Sequence, residues 1–169
     1  MSIIIYSILG FLGFILLFGT FFIVRQQSAA VVERFGKFVS VRQSGLQIKI
    51  PIIDRVSGRV SLRVQQLDVV VETKTKDDVF VKLKVSVQYK VIKDKVFDAF
   101  YKLDFPQDQI TSYVFDVVRA EVPKMILDDV FEKKDDIAIA VKSELNDSML
   151  NYGFDIIKTL VTDIDPDAQ

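Results

Sequence analysis

One stretch in the middle of the chain alternates almost without exception. Val79, Val81, Leu83, Val85, Val87, Tyr89 and Val91 share one parity, and Lys82, Lys84, Ser86, Gln88 and Lys90 share the other, with Phe80 alone out of pattern. Successive side chains of a strand point to opposite faces, so this run predicts a long strand with one buried and one wet face. A sheet of that kind is antiparallel, covered on one side only. The expected partner is Ser61–Glu72, joined through the polar turn Thr73–Asp78. The Lys-rich face reads as solvated surface, or as a face that meets an acidic surface of a neighbouring subunit.

The second constraint is at the N-terminus. From Ile3 to Val24 there is no charged side chain. As a helix this run would extend about 33 Å, enough for a hydrocarbon core of about 30 Å. A cleaved signal peptide is the competing reading, and Ser28-Ala29-Ala30 resembles a cleavage site. Against it, no Lys or Arg precedes the run, which is also longer than a usual signal core. The expectation is therefore a retained transmembrane helix containing Ile3, Gly10, Gly13, Phe18 and Val24. Ser7, Gly10 and Gly13 form a weak small-residue stripe along it. Arg25, Arg34 and Lys37 follow the run, so the positive-inside rule puts the bulk of the chain in the cytoplasm.

The net charge of −1 over 169 residues hides an asymmetry. Arg25 to Arg63 holds eight Lys or Arg against Glu33 and Asp54, whereas the rest carries 14 basic against 21 acidic residues. A basic zone next to a span suits anionic lipid headgroups, at about 1 kcal/mol per cation near the surface. Its expected members are Arg25, Arg34, Lys37, Arg55 and Arg59. Solvated charge on two small subdomains is the plainer alternative.

Without Cys or His, the chain has no thiolate, no zinc site of ordinary ligand type and no His-based triad. No metal or cofactor is expected. Three acidic doublets, Asp77-Asp78, Asp128-Asp129 and Asp135-Asp136, offer carboxylates, but adjacent residues diverge rather than face one another as acid–base pairs must. Turn formation and helix starts account for them. Asp163-Ile-Asp165-Pro-Asp167 imitates the start of a calcium loop but lacks its glycine and distal Glu, so a turn ending a strand is expected. Basic residues are not interleaved with aromatics, and no nucleic-acid partner is expected.

The remaining elements follow from periodicity. Ala29–Phe35, Phe38–Val41 and Leu46–Ile50 read as short strands punctuated by Gly36 and Ser44-Gly45. Ile50–Val56 is apolar, either core or a dip into the membrane interface, and core packing is the default. Helical spacing covers Lys95–Leu103, then Pro106–Val122 with Ile110, Tyr113, Val114, Val117 and Val118 inward, and Pro123 as its stop. A turn of helix at Asp128–Glu132 precedes a long helix at Asp135–Tyr152, buried through Ile137, Val141, Leu145, Met149 and Tyr152, with Gly153 at its C′ position. Phe154–Ile164 closes the chain as a covered strand. Strands, then helices, then one strand define an α+β class.

Several ordered segments carry a resemblance. VERFGKF (32–38), IPIIDRV (50–56), SLRVQQLDV (61–69), ETKTKD (72–77), DAFYKL (98–103), SYVFDVVRAEVPK (112–124), LDDVFEKKDDIA (127–138) and VTDIDPD (161–167) together resemble the stomatin/prohibitin/flotillin superfamily, also called Band 7 or SPFH. Their nearest likeness is to the branch of the plant hypersensitive-induced reaction proteins and their microbial relatives. The resemblance implies an antiparallel-rich sheet with packed helices and this organisation: an anchor at 1–24, a basic SPFH1-like subdomain at 25–60 and an acidic SPFH2-like subdomain at 61–169. It also implies a non-enzymatic, homo-oligomeric scaffold that marks out a membrane microdomain as a ring or cage. The second reading is a regulatory subunit that restrains a membrane-bound protease or channel, and the third is a carboxylate-based enzyme. Plant members begin Met-Gly for lipidation, whereas this chain begins Met1-Ser2 and carries an apolar run. Such proteins continue past the DIDPD-like turn into an Ala/Glu-rich coiled coil, so a longer gene product than Gln169 is expected.

Overall fold

The computed structural model describes residues 19–166, together with Ile4, Tyr6, Ser7, Gly10 and Phe14. Two compact units divide the chain between Arg63 and Val64.

From Phe21 onward the first unit is built of strands: β1 (Phe21–Val24), β2 (Ser28–Arg34), β3 (Lys37–Arg42), β4 (Gly45–Ile48) and β5 (Asp54–Ser61). β1 and β4 pair antiparallel as a ribbon, and β3-β2-β5 form an antiparallel sheet around β2. Ala29, Ala30, Val31 and Val32 of β2 are all buried, as a central strand covered on both faces requires. Bulges interrupt β2 against both neighbours, and across β5 the extra residue is Ser57, between Gly58 and Val56. A bulge bends and twists a strand, which helps a small sheet curl over so few apolar residues.

β1 overturns part of the expected span. Phe21–Val24 is strand, and Val24 is 2% exposed in the protein core rather than in a helix facing lipid. Aromatic and β-branched residues take either structure when apolar throughout, and here the pairing groups of β4 decide. The helical residues among those described are Ile4, Tyr6, Ser7, Gly10, Phe14, Gly19 and Thr20. Among the described residues no helix is long and apolar enough to cross a membrane. Ile3, Gly13 and Phe18 lie outside the described residues.

The second unit contains β6 (Gln65–Lys74), β7 (Phe80–Val91), α1 (Val96–Tyr101), α2 (Pro106–Glu121), α3 (Leu127–Glu132), α4 (Lys134–Met149) and β8 (Phe154–Pro166). The alternating run is β7, the centre of the antiparallel sheet β6-β7-β8. Val81, Leu83, Val85, Val87, Tyr89 and Val91 are buried, as the alternation predicts. Its partner starts later than expected: β6 begins at Gln65, because Ser61 closes β5 instead.

Helices α2 and α4 cover the inner face, α2 through Ile110, Val114 and Val118 and α4 through Ile137, Val141, Leu145 and Met149. A short 3₁₀ turn, Leu150–Tyr152, follows α4, and Gly153 takes the left-handed conformation at φ 85°. There its backbone approaches α1 so closely that an added Cβ would lie 2.6 Å from the Lys95 carbonyl oxygen.

The lysines of the outer face stay solvated, each with over two-fifths of its side chain exposed. The lysines of β7 are paired within the sheet: Lys82 with Glu72 at 3.3 Å, Lys84 with Asp68 at 3.2 Å and Lys90 with Asp155 at 3.6 Å. The charge of this face is therefore answered by neighbouring strands. β8 lies at one edge of the sheet with one face buried through Phe154, Ile156, Thr159 and Val161, and it runs on as strand to Pro166 through Asp163 and Asp165, where a turn was expected. Proline is tolerated there because an edge strand has one side free of pairing.

Candidate membrane-facing surface

Asp54 begins β5 and organises the first unit's end. A buried charge must be paired and hydrogen-bonded. Its register partner Arg34 donates from Nε to Oδ1 at 2.8 Å and from Nη2 to Oδ2 at 3.3 Å, while the Ile50 N–H donates to Oδ2 at 2.9 Å. The Asp54 N–H in turn donates to the Ile50 carbonyl at 2.9 Å. The Arg34 guanidinium first, and the Ile50 N–H second, hold the Asp54 carboxyl below the usual range, and the same pairing raises Arg34.

These bonds close residues 50–53 into a turn whose tip is Ile52, 92% exposed at φ 71°. A β-branched residue at positive φ is an outlier that only surrounding structure can enforce. Core packing of Ile50–Val56 is therefore not observed at its start, where Ile50, Ile52 and Ile53 are all exposed. The sequence signal was present in the apolar pair after Pro51, but hydrophobicity alone assigns such a pair to the interior. Phe35, directly after Arg34, is 84% exposed at φ 49°. Because Arg34 and Asp54 are register partners, both apolar tips leave the sheet at the same end.

The ribbon adds an apolar face. Phe21 pairs with Ile48 and Ile23 with Leu46, and all four are exposed. Paired residues of an antiparallel ribbon share a face, as do residues two apart, so the four form one strip. The Lys49 N–H donates to the Thr20 carbonyl at 2.8 Å, and a Cβ added at Gly19 would approach Pro51 Cβ to 3.3 Å. The residues just before β1 therefore sit beside the Ile52 turn.

The five cations of the expected basic zone are not brought together in one cluster. Lys37 and Arg55 are exposed near the apolar tips, since Lys37 pairs with Arg34 and Arg55 with Glu33 in register. Arg34 is committed to Asp54. Arg59 pairs with Ala30, about 13 Å further along β5 at 3.3 Å per residue. It lines a cavity there with Arg25, and with Arg63, which the sequence did not single out.

The acidic doublets lie at a turn and at helix starts. Asp77 Oδ1 accepts from Thr75 Oγ1 at 2.6 Å and from the Leu127 N–H at 3.1 Å, tying the β6–β7 turn to the start of α3; these bonds, Thr75 foremost, lower its pKa. Asp78 pairs with Lys74 and Asp129 with Lys133. Asp128 and Asp135-Asp136 occupy first turns of helices, where negative charge suits the helix dipole. Among the described residues no group of three or more His, Cys, Asp or Glu is arranged to hold a metal ion.

A first unit whose strands leave an apolar, basic-flanked end, followed by an antiparallel sheet covered by helices on one face, defines an α+β module. Residues 22–169 match the SPFH domain / Band 7 family, and the chain belongs to that family. It is 47% identical over 145 residues to hypersensitive-induced response protein 4 of Arabidopsis thaliana, covering 85% of this chain and 50% of that protein. It is 30% identical over 142 residues to the human mitochondrial stomatin-like protein 2, covering 83% of this chain and 39% of that protein. Stomatin-like protein stl-1 of Caenorhabditis elegans is also 30% identical over 142 residues, covering 83% and 43%. The chain thus spans half or less of the length of these curated relatives.

Proposed function

We propose that this protein is a membrane-anchored scaffold whose first unit rests on an anionic bilayer and whose copies assemble into a ring or cage that organises a membrane microdomain. The observation that carries the reading is the held-out apolar end of the first unit. Phe35 and Ile52 project from one end of the sheet, the Phe21–Ile23–Leu46–Ile48 strip is exposed, and Lys37 and Arg55 stand near the tips. Contiguous exposed apolar surface rimmed by polar residues marks an interaction site. A basic rim favours an anionic lipid surface over a neutral partner.

The anchor in this reading is the apolar run before β1. Membership of the SPFH domain / Band 7 family supports the scaffold reading, as does the structural use of the acidic doublets.

The test is the size of the gently solubilised full chain, by native mass spectrometry and electron microscopy. A large closed particle is expected, and a clean monomer or dimer would overturn the assembly. Binding to vesicles of phosphatidylcholine with phosphatidylserine tests the lipid contact separately. Indifference of that binding to Ile52→Asn and Phe35→Ser would remove the apolar tips from it.

A further inference from the structure

We propose that Arg25, Arg59 and Arg63 form a discrete phosphate-binding pocket at the end of the first unit opposite the apolar tips, suited to a phosphate monoester. The three arginines line one cavity of about 290 Å³ with Gln26, Gln27, Ser28, Val60 and Ser61. That is roughly ten water volumes, room for a phosphate group and the first atoms of its ester.

The electrostatics are one-sided. The first unit has two acidic residues, Glu33 and Asp54, and both lie at the other end of the β2–β5 ladder, paired in register with Arg55 and Arg34. Among the described residues, none of Arg25, Arg59 and Arg63 makes an ion pair. Guanidinium groups do not deprotonate in proteins, so three of them around one cavity repel until an anion enters. The planar fork of each matches two phosphate oxygens. A dianionic monoester has three terminal oxygens to offer, more than a phosphodiester.

The walls are held before any ligand arrives. Ser28 Oγ donates to the Arg25 carbonyl at 2.7 Å, and the Leu62 N–H donates to the Gln27 carbonyl at 2.9 Å. Gln27 adopts φ 57°, which turns the chain sharply between β1 and β2. Arg59 Nη2 reaches the Ile23 carbonyl at 3.5 Å, drawing that side chain toward the same loop and leaving its other donors free. Ser61, Gln26 and Gln27 supply neutral hydrogen-bonding groups around the charge. This pocket goes beyond the bilayer reading, because a soluble phosphate monoester satisfies it as well as the headgroup of a phosphatidate-like lipid.

The test uses the full chain in neutral detergent, with arginine Nε–H signals followed by NMR as inorganic phosphate is titrated at constant ionic strength against a chloride control. Saturable shifts at Arg25, Arg59 and Arg63, with Arg55 unmoved, are expected. Arg59→Gln and Arg63→Gln should each weaken binding on the order of tenfold, as loss of a charge-assisted bond does, whereas Arg55→Gln, an equal change in net charge, should not. Arg59→Lys keeps the charge and should still weaken binding, because the fork is lost. A second arm adds vesicles of phosphatidylcholine with phosphatidate. Displacement of phosphate by these vesicles identifies lipid as the source. Saturable phosphate binding with unaltered vesicle binding by Arg59→Gln and Arg63→Gln identifies a soluble ester. A weak, non-saturating response shared by Arg55, or one reproduced by chloride, would overturn the pocket. The phosphate titration is independent of vesicle binding, so the pocket and the bilayer reading fail separately.

Discussion

Replacing Ile52 by glycine should stabilise the first unit and weaken its hold on a bilayer. Ile52 is 92% exposed, so removing its side chain forfeits only about 0.2 kcal/mol of burial, a small share of the about 2–3 kcal/mol a fully buried Ile contributes. Its φ of 71° costs a non-glycine residue roughly 1–2 kcal/mol. Glycine escapes that cost but gains freedom in the unfolded chain, returning about 0.5–1 kcal/mol. The net is a stabilisation of about 0.5–1 kcal/mol, which should slow amide exchange at Val31 and Val32, in the buried stretch of β2, about two- to fivefold where exchange requires opening of the unit. The same change removes an isoleucine from the proposed lipid contact, worth about 1.5–3 kcal/mol if fully inserted, so partition into anionic vesicles should fall on the order of tenfold to a hundredfold. Ile52→Asn is the companion variant, since asparagine tolerates the left-handed conformation without glycine's entropy. Faster exchange in both variants would refute the strain argument. Slower exchange with undiminished vesicle binding would refute the use made of the strain.

Four further outcomes are expected. Gly153→Ala should lower stability by more than about 2 kcal/mol in urea unfolding, because the left-handed φ penalises any Cβ and the atom it meets is the Lys95 backbone oxygen at 2.6 Å. Leu83→Ala, at a fully buried position of β7, should cost about 3 kcal/mol by the same measurement. The second unit's stability should be level from neutral pH down to about 4 and then fall. Asp68 drives that fall: Ser86 Oγ, Gln66 Nε2 and Lys84 Nζ hold its pKa at about 2, so its contribution is complete above the ordinary carboxylate value and lost as pH drops through the depressed one. Unfolding that begins instead near neutral pH would contradict this. Charge reversal at Lys37 and Arg55 should weaken binding to anionic vesicles most at low salt, whereas Arg34→Gln should act chiefly by loosening the Ile52 turn, seen as faster exchange of the Ile50 and Asp54 amides.

The elements with a strong period were legible in order along the chain. The parity of Val79–Val91, the inward stripes of α2 and α4 and the glycine after Tyr152 each express a local rule, period two, period 3.6 or a left-handed cap, that tertiary contacts then reinforced. The first unit resisted reading because its decisive features are pairings between distant residues. FFIV looks like the end of a membrane helix until β4 offers it a strand partner. Five nearby cations look like one patch until register commits Arg34 to Asp54 and moves Arg59 to the far end of β5. Ile52 looks like core until the Arg34–Asp54–Ile50 bonds hold it out. What the chain determined by itself was therefore its periodic structure, because periodicity acts between neighbours. Which apolar groups are hidden, and which charges remain unanswered, only the tertiary structure decided, because burial and ion pairing depend on residues far apart in sequence.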